Sequence, residues 1–293
     1  MRSRVAVVAE LLLGCRANHQ GVTPAAGNIK KMIVREGAGG ELILIAQTDH
    51  AKASGQCAAH WGNGTFARPE PNEPVVRAAM FHDSGWYDYE ASPTIARDSG
   101  RPLNFMQVPW GKPQRQAFEW AIEWMTRIDP YSGLLLSKHR TGLQRGRYGK
   151  VAHPKFFNTQ NLPEDNENFL ARNEEAQEAQ LNNYEESEFW TNYQLLQAFD
   201  LISLFLCNKD AVDDYIEPVP TSYGERTAPV RLTLKSLGPN RIQIDPFPFD
   251  ISELRVQLIR RRLRQSTFAN PGEFREAYFK ATPEALDFTF CAR

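Results

Sequence analysis

The sequence predicts an α+β fold, in which a mainly helical core over about residues 49–209 carries a small antiparallel β-sheet from the N- and C-terminal segments. Apolar residues recur at helical spacing through the middle of the chain, whereas short alternating runs flank it on both sides. We expect residues 32–293 to form a single domain whose C-terminal part, about 228–293, is a β elaboration.

The first predicted elements are a β-hairpin and a helix. Two strand-like runs, 32–35 and 41–46, flank the Gly-rich turn 36–40. Asp49 is placed to cap a helix over residues 50–61, because a side-chain carboxylate before the first turn accepts its free N–H groups.

The central elements are mostly helical. A second helix has Pro74 in its first turn and ends at the adjacent pair His82-Asp83. Residues 84–113 contain four Pro and three Gly, which predicts a long ordered loop. Residues 144–165 are basic and then polar, which indicates an excursion from the core. Four further helices are expected, over residues 115–128, 131–140, 167–180 and 186–207.

The C-terminal region is expected to be a set of strands. Alternating residues over 230–234 and 241–245, on either side of Gly238, predict a second hairpin. Residues 254–263 and 288–290 predict two more strands. These strands and the N-terminal hairpin are expected to pair into one antiparallel sheet.

Composition excludes several classes of protein. The formal net charge is −1, so no basic excess points to nucleic acid, and no stretch is long and apolar enough for a membrane span. The four cysteines are widely separated and form no Cys-x-x-Cys pair, which argues against a zinc knuckle or a disulfide framework. We therefore expect a cytoplasmic protein whose partner is a small-molecule substrate.

Residues 1–31 are expected to be an N-terminal extension without a fold, because Met32 is a natural start for the hairpin. The alternative is a lipoprotein-type signal, since Leu12-Leu-Gly-Cys15 resembles a cleavage box. Glu10 interrupts the short apolar run before that box, which favours the extension.

The candidate metal ligands are histidines and aspartates on predicted helices. His82 and Asp83 are adjacent at a helix end, where an imidazole and a carboxylate can bind one divalent ion. Asp200 interrupts a helix that is apolar nearly all round, and a buried carboxylate is costly unless it is paired or metal-bound. Pairing with an Arg or with Tyr193 is the alternative. One ion shared with His50 explains the set better.

The order of these residues resembles the HD-domain superfamily of metal-dependent phosphohydrolases. There, a His precedes a His-Asp pair, and an Asp follows in a late apolar helix; the resemblance covers about residues 49–209. It implies a divalent ion (Mn, Fe, Zn, Ni or Mg) with ligands His50, His82, Asp83 and Asp200. His139 and His153 lie where two-metal members supply further ligands.

One departure from that pattern leaves the reaction open. The superfamily often has a basic residue shortly after its His-Asp pair, whereas Asp83 is followed here by Ser84, Gly85 and Trp86. Trp86 cannot serve as a general acid, which counts against phosphoester cleavage. A metal-dependent hydrolase is favoured, and a di-iron oxygenase on the same scaffold is one alternative. A non-enzymatic binding or structural protein with a buried His/Asp cluster is the other.

A second resemblance covers more of the chain. The sequence is similar, from Met32 to near its end, to a bacterial and fungal family without an assigned function. The matching segments are Gln47-Thr-Asp-His50, Ser54-Gly55, Trp61-Gly62, His82-Asp-Ser-Gly-Trp86, Glu90, Gly133-Leu-Leu-Leu-Ser-Lys-His139, Asp200-Leu-Ile-Ser-Leu-Phe-Leu-Cys207 and Pro246-Phe-Pro-Phe249.

Candidates for catalytic residues are His139, Lys138 and Glu90, with Glu90 expected to orient His82 or His139. A basic cluster around His139 could bind phosphate or carboxylate, although a solvated basic run is the alternative: Lys138, Arg140, Arg145, Arg147 and Lys150. Four aromatic residues could line an organic substrate or belong to the core: Trp86, Tyr87, Tyr89 and Trp110. The sequence has no Gly-rich phosphate loop and no Gly-x-Ser-x-Gly elbow.

Overall fold

Helices in the middle of the chain and strands at its two ends confirm the α+β class in the computed structural model. The structure describes residues 32–105, 110–148, 151–152, 162–207, 213–224 and 228–293. The predicted extension, residues 1–31, and most of the predicted excursion lie outside these residues.

A seven-stranded sheet joins the two ends of the chain. Its strands are β1 (Ile33–Glu36), β2 (Leu42–Ile45), β5 (Asp214–Val219), β6 (Val230–Gly238), β7 (Arg241–Asp245), β8 (Glu253–Leu263) and β9 (Glu284–Cys291). Their order across the strongly curled sheet is β1-β2-β8-β9-β7-β6-β5. The short strands β3 (Arg147–Tyr148) and β4 (Val151–Ala152) pair separately.

The sheet is mixed, so the prediction of a small antiparallel sheet was wrong. Strands β7 and β9 are parallel, with Ile242 beside Phe290, while β8 and β9 are antiparallel. The reason is that β9 lies between two strands that run in opposite directions, β7 and β8, so it is parallel to one of them. A helix that was not predicted from the sequence, Pro271–Lys280, provides the connection to β9. It follows β8 and precedes β9, which lies between β7 and β8 in the sheet.

The helices are α1 (Gln47–Ala59), α2 (Asn72–Phe81), α3 (Tyr87–Ala91), α4 (Lys112–Ile128), α5 (Pro130–Arg145), α6 (Glu164–Leu181), α7 (Glu186–Cys207) and α8 (Pro271–Lys280). A 3-10 turn over Ser84–Trp86 precedes α3, so the predicted loop 84–113 is partly helical. Within the described chain, no helix combines the length and the apolar character needed to cross a membrane.

Two predicted helix ends need correction. Helix α1 begins at Gln47 after the N-cap Ala46, so Asp49 lies in its first turn and does not cap it. The Asp49 carboxylate pairs with Lys52 at 2.9 Å instead. Helix α5 continues to Arg145 and ends at Gly146, whose φ of 62° requires the left-handed conformation that glycine adopts easily.

Helix α1 packs closely on α2 at Gly55. A Cβ atom at Gly55 would lie 2.6 Å from Cβ of Met80, so only glycine permits this approach. Helix α7 completes the core, with Leu196, Phe199 and Ile202 fully buried. His50 on α1 and Asp200 on α7 are thereby brought near the end of α2.

Candidate metal centre

Five buried side chains from four parts of the fold form a cluster. His50 lies in the first turn of α1, His82 and Asp83 follow α2 directly, His139 is on α5, and Asp200 is on α7. Each of these five residues is, as a whole, at most 8% exposed. The structure thus brings together every metal ligand predicted from the described part of the chain.

The ligand atoms converge on one region. The Nε2 atom of His50 lies 3.0 Å from Oδ2 of Asp83 and 3.8 Å from Oδ1 of Asp200. The Nε2 atom of His82 lies 3.8 Å from Oδ2 of Asp83 and 3.4 Å from Oδ1 of Asp200. Atoms that share one ion at about 2.0–2.2 Å are separated by roughly 3–3.5 Å, so two of these spacings match a common divalent ion and the two of 3.8 Å are slightly wider.

The hydrogen bonds of His50 determine which of its nitrogens carries a proton. Ser203 Oγ donates to the carbonyl oxygen of Asp200 at 2.8 Å, so this hydroxyl can only accept from His50. His50 Nδ1 is 2.8 Å from that hydroxyl and therefore donates its N–H to it. In a neutral His50, Nε2 then carries a lone pair that faces the carboxylates of Asp83 and Asp200.

His82 is held in the same way. Its Nδ1 is 2.8 Å from the carbonyl oxygen of Ala79, which can only accept, so Nδ1 is the protonated nitrogen. Its Nε2 is buried and makes no hydrogen bond to a described residue. Two imidazole lone pairs and two carboxylates therefore face one another, an arrangement that needs a cation between them or extra protons on the rings.

Protonation of His82 compensates part of the buried negative charge when no metal is bound. Burial by itself lowers the pKa of His82, but the carboxylates of Asp83 and Asp200 together raise it to about 9. Burial raises the pKa of each carboxyl group, yet the neighbouring histidines hold the pKa values of Asp83 and Asp200 below the usual range. A divalent ion and a ring proton are thus alternative partners of the same carboxylates.

His139 extends the cluster on one side. Its Nε2 lies 3.7 Å from Oδ2 of Asp200, while Oδ1 of the same carboxylate faces His50 and His82. Asp200 therefore has one oxygen toward each side of the cluster. Burial and the charge of His82 lower the pKa of His139 to about 4, so its ring is neutral at neutral pH. Two triads could each hold an ion: His50, His82 and Asp83, and His82, His139 and Asp200.

Other predicted site residues lie outside this cluster. The Glu90 carboxylate accepts from the backbone N–H and the hydroxyl of Thr48, not from His82 or His139. It therefore holds the beginning of α1, two residues before His50. The Lys138 ammonium lies 5.0 Å from the ring centroid of Trp190, on another side of α5. His153 and Lys150 fall outside the described residues, as does the side chain of Arg147.

The basic cluster divides into different environments. Arg145 pairs with Glu167 and Glu174, so it ties α5 to α6. Arg140 is 6% exposed and lies against aromatic rings, which is incompatible with a solvated basic run at that position.

The four candidate aromatic residues also divide. Trp86 and Tyr89 are buried in a secondary core cluster, against which Trp110 packs, while Tyr87 is exposed.

Ser203 supports the cluster and was missed from sequence, whereas Trp86 was named there with a different role. Ser203 orients His50, and its signal is the spacing of three residues from Asp200, which places both on one side of α7. The Trp86 indole donates to Oδ1 of Asp83 at 3.2 Å, so its role is to hold a carboxylate.

Comparison with known proteins places the chain in a family. The chain belongs to the DUF3891 family, described as proteins of unknown function, whose model matches residues 32–265. No curated protein and no solved structure matches it. Neither result connects the chain with the HD-domain superfamily, so that resemblance rests on motif order alone.

Proposed function

We propose that this protein is a metal-dependent hydrolase that binds a divalent ion through His50, His82, Asp83 and Asp200. One observation carries the proposal: the Nδ1 atoms of His50 and His82 both donate hydrogen bonds to other groups. In the neutral rings, both Nε2 lone pairs therefore face two buried carboxylates. Imidazole nitrogen suits Zn, Fe and Ni, and carboxylate oxygen suits Mn and Mg, so the donor set admits any of these ions.

A bound divalent ion would act as a Lewis acid and lower the pKa of a bound water toward neutrality. The chain's own groups supply the rest of the chemistry. Asp83 and Asp200 supply negative charge opposite the ion, and Trp86 and Ser203 fix the orientation of this set. His139 is neutral at neutral pH and its buried Nδ1 has no partner among the described residues, so its ring is available to bind a second ion or to contact the leaving group.

The proposed substrate is a small molecule, with a phosphate ester of a metabolite or nucleotide as its class. Support for this class comes from the motif order described above and from the positive charge that α5 contributes beside the cluster. A screen of p-nitrophenyl phosphate, bis-p-nitrophenyl phosphate and nucleotides with each metal tests it.

Metal content is the direct test of the proposal. Protein purified without chelator is expected to contain at least one stoichiometric divalent metal ion, and chelator is expected to lower its melting temperature. His82→Ala should lose the metal, whereas His60→Ala should keep it, because His60 is an exposed histidine paired with Asp250. A parent protein with no bound metal and unchanged melting in chelator would make the cluster a polar network of a binding or structural protein.

A di-iron oxygenase is the second candidate. The favouring observation is Asp200, whose two oxygens face histidines on opposite sides, as a carboxylate bridging two ions would. Two iron atoms per chain and a near-ultraviolet charge-transfer band would support the oxygenase. One ion of any kind, or two without that band, together with turnover of a phosphate ester, would support the hydrolase.

A further inference from the structure

Arg140 is a buried cation that forms neither a hydrogen bond nor an ion pair with the residues that the structure describes. The side chain is 6% exposed, yet within the described part of the chain its guanidinium makes no hydrogen bond and no ion pair. Its Nε is fully buried and unpartnered. Burial of a cation whose N–H donors are unsatisfied is costly, so a structure that retains one indicates a missing hydrogen-bond acceptor.

Aromatic rings hold this guanidinium in place. Its Cζ atom lies 3.7 Å from the ring centroid of Trp110 and 3.9 Å from that of Phe118. Such contacts stabilise the charge and orient the planar group, but they leave its N–H donors unused. The guanidinium is charged at neutral pH, and the Asp83 carboxylate stabilises this charge electrostatically without forming an ion pair with it.

The guanidinium of Arg140 lies next to the cluster of His and Asp side chains. Arg140 directly follows His139 on α5, and its Cζ is 6.0 Å from the ring centroid of Trp86. The same indole donates to Asp83, so one aromatic side chain contacts both the cluster and the environment of Arg140. Arg145, another cation on α5, has two carboxylate partners instead, Glu167 and Glu174.

We propose that Arg140 binds an oxyanion group, phosphate or carboxylate, of a small-molecule substrate beside the metal cluster. The inference rests on the proposed function for the reaction that follows, but the anion site itself does not require the metal. A guanidinium edge donates two parallel N–H groups, which match two oxygens of a phosphate or carboxylate. Binding would supply acceptors for the unused N–H groups and hold the substrate at the cluster.

Calorimetric titration of the full chain with inorganic phosphate, and separately with acetate, tests the proposal. The parent is expected to bind at least one of the two anions, and the tighter one identifies the group. Arg140→Met keeps a long side chain against the aromatic rings but removes the donors, and should weaken binding about 10- to 100-fold. Arg145→Met is the matched control and should change affinity by less than about twofold, because its partners are Glu167 and Glu174.

Two results of the titrations would contradict the anion site at Arg140. Binding of neither anion by the parent, or equal affinity in Arg140→Met, would overturn the inference and leave Arg140 as a packing residue. If the Met variant does not fold, Arg140→Gln provides the same comparison, with near-ultraviolet circular dichroism as the check on the aromatic cluster.

Metal content measured in each sample separates this inference from the proposed function. Arg140-dependent phosphate binding by chelator-treated protein would support the anion site even if the parent held no metal. Metal-loaded Arg140→Met with parental phosphate affinity would refute the anion site alone.

Discussion

At the scale of single residues, the orientation of two imidazole rings decides what the cluster can bind. Ser203 holds His50 through Nδ1, and the carbonyl of Ala79 holds His82 in the same way. Groups that hydrogen bond to the second nitrogen of a ligating histidine fix the ring and raise its basicity. The polar neighbours of the rings are therefore as relevant to metal affinity as the ligands themselves.

Ser203→Ala is expected to weaken metal binding by about 10- to 100-fold while the protein still folds, because His50 loses the acceptor for its Nδ1 proton. Competition with a fluorescent chelator measures the affinity. Ser132→Ala is the matched control, since Ser132 is also a buried serine whose hydroxyl bonds to a carbonyl oxygen, that of Pro74. The Ser132→Ala variant should be somewhat less stable than the parent and keep the parental metal affinity. Equal losses of affinity in both variants would contradict the role of Ser203.

Substitutions at Asp200 distinguish a metal site from a purely polar network of side chains. Asp200→Asn is nearly isosteric and should abolish metal binding while leaving the fold intact, as measured by elemental analysis and circular dichroism. Asp200→Leu should be metal-free and insensitive to chelator, because an apolar side chain suits the buried face of α7. Metal retention by Asp200→Asn, with a loss of stability alone, would show that the carboxylate only pairs with its neighbouring histidines.

Glu90 provides a prediction about pH. Burial raises its pKa to about 7, although two hydrogen bonds from Thr48 act in the opposite direction. The native state therefore keeps a proton on Glu90 between about pH 4.5 and 7, where the unfolded chain has lost it. Because the native state binds more protons in this window, the contribution of Glu90 to stability falls as pH rises through it. Below pH 4.5 that contribution is fully present.

The melting temperature of Glu90→Gln relative to the parent is thus expected to increase between pH 4.5 and 7. Thr48→Val should move the carboxyl pKa further up in a carbon-13 titration, because it removes one donor to the carboxylate. A constant difference between Glu90→Gln and the parent across the window would contradict this account.

How far the cluster could be predicted depends on the signal each residue carries. Asp200 was predictable, since a carboxylate in an apolar helix needs a partner wherever the helix packs. The environment of Arg140 was not, because it depends on Trp110 and Phe118, which lie 30 and 22 positions away in the sequence. Glu90 was assigned the wrong partner because its contact with Thr48 spans 42 residues.

At the scale of elements, the contact between α1 and α2 positions His50 against His82. Gly55→Ala would normally stabilise a helix interior by about 1 kcal/mol through helix propensity. Here the new methyl group would lie 2.6 Å from Cβ and 2.9 Å from Cα of Met80. Met80 cannot retreat without moving the backbone of α2, so the steric effect is expected to dominate, with a net loss of about 1–3 kcal/mol.

Separation of the two helices should also weaken metal binding in Gly55→Ala, because His50 and His82 are on opposite sides of the contact. Denaturant unfolding and chelator competition measure the two effects. Gly64→Ala is the control, since an added Cβ there meets no atom within 4 Å. Increased stability in Gly55→Ala would show that the helix contact is looser than the structure indicates.

Periodicity predicted the elements unevenly. Helix α7 was predicted with its observed ends, since 22 residues of apolar spacing are bounded by polar segments. Helix α8 and strand β5 were missed. Helix α8 buries only Phe274 and Tyr278 among its ten residues, which is a weak helical pattern. Strand β5 contains Pro218, a residue that argues against a strand unless tertiary pairing supports it.

At the scale of the whole molecule, the strands from the two ends of the chain support the helix that carries His50. Strand β2 pairs with β8, so residues 42–44 are hydrogen bonded to residues 261–263. On α1, Gln56 exchanges two hydrogen bonds with the backbone of Gln257, at 3.0 and 3.1 Å. Trp61, two residues after the end of the same helix, packs against Phe249. The C-terminal strands are thus part of the scaffold of the cluster.

A chain that ends at Cys207 retains all five residues of the cluster, so it tests whether the helical core folds alone. Removal of β8 exposes the buried strand β2 and leaves Ile43 and Ile45 without the core that they share with Leu254 and Val256. We expect this truncated chain to show no cooperative thermal transition and no stoichiometric metal, because α1 loses its support and His50 its position. The full chain is the control. Cooperative unfolding of the truncated chain, with metal bound, would show that the helical core is an independent domain and that the β elaboration is dispensable for the site.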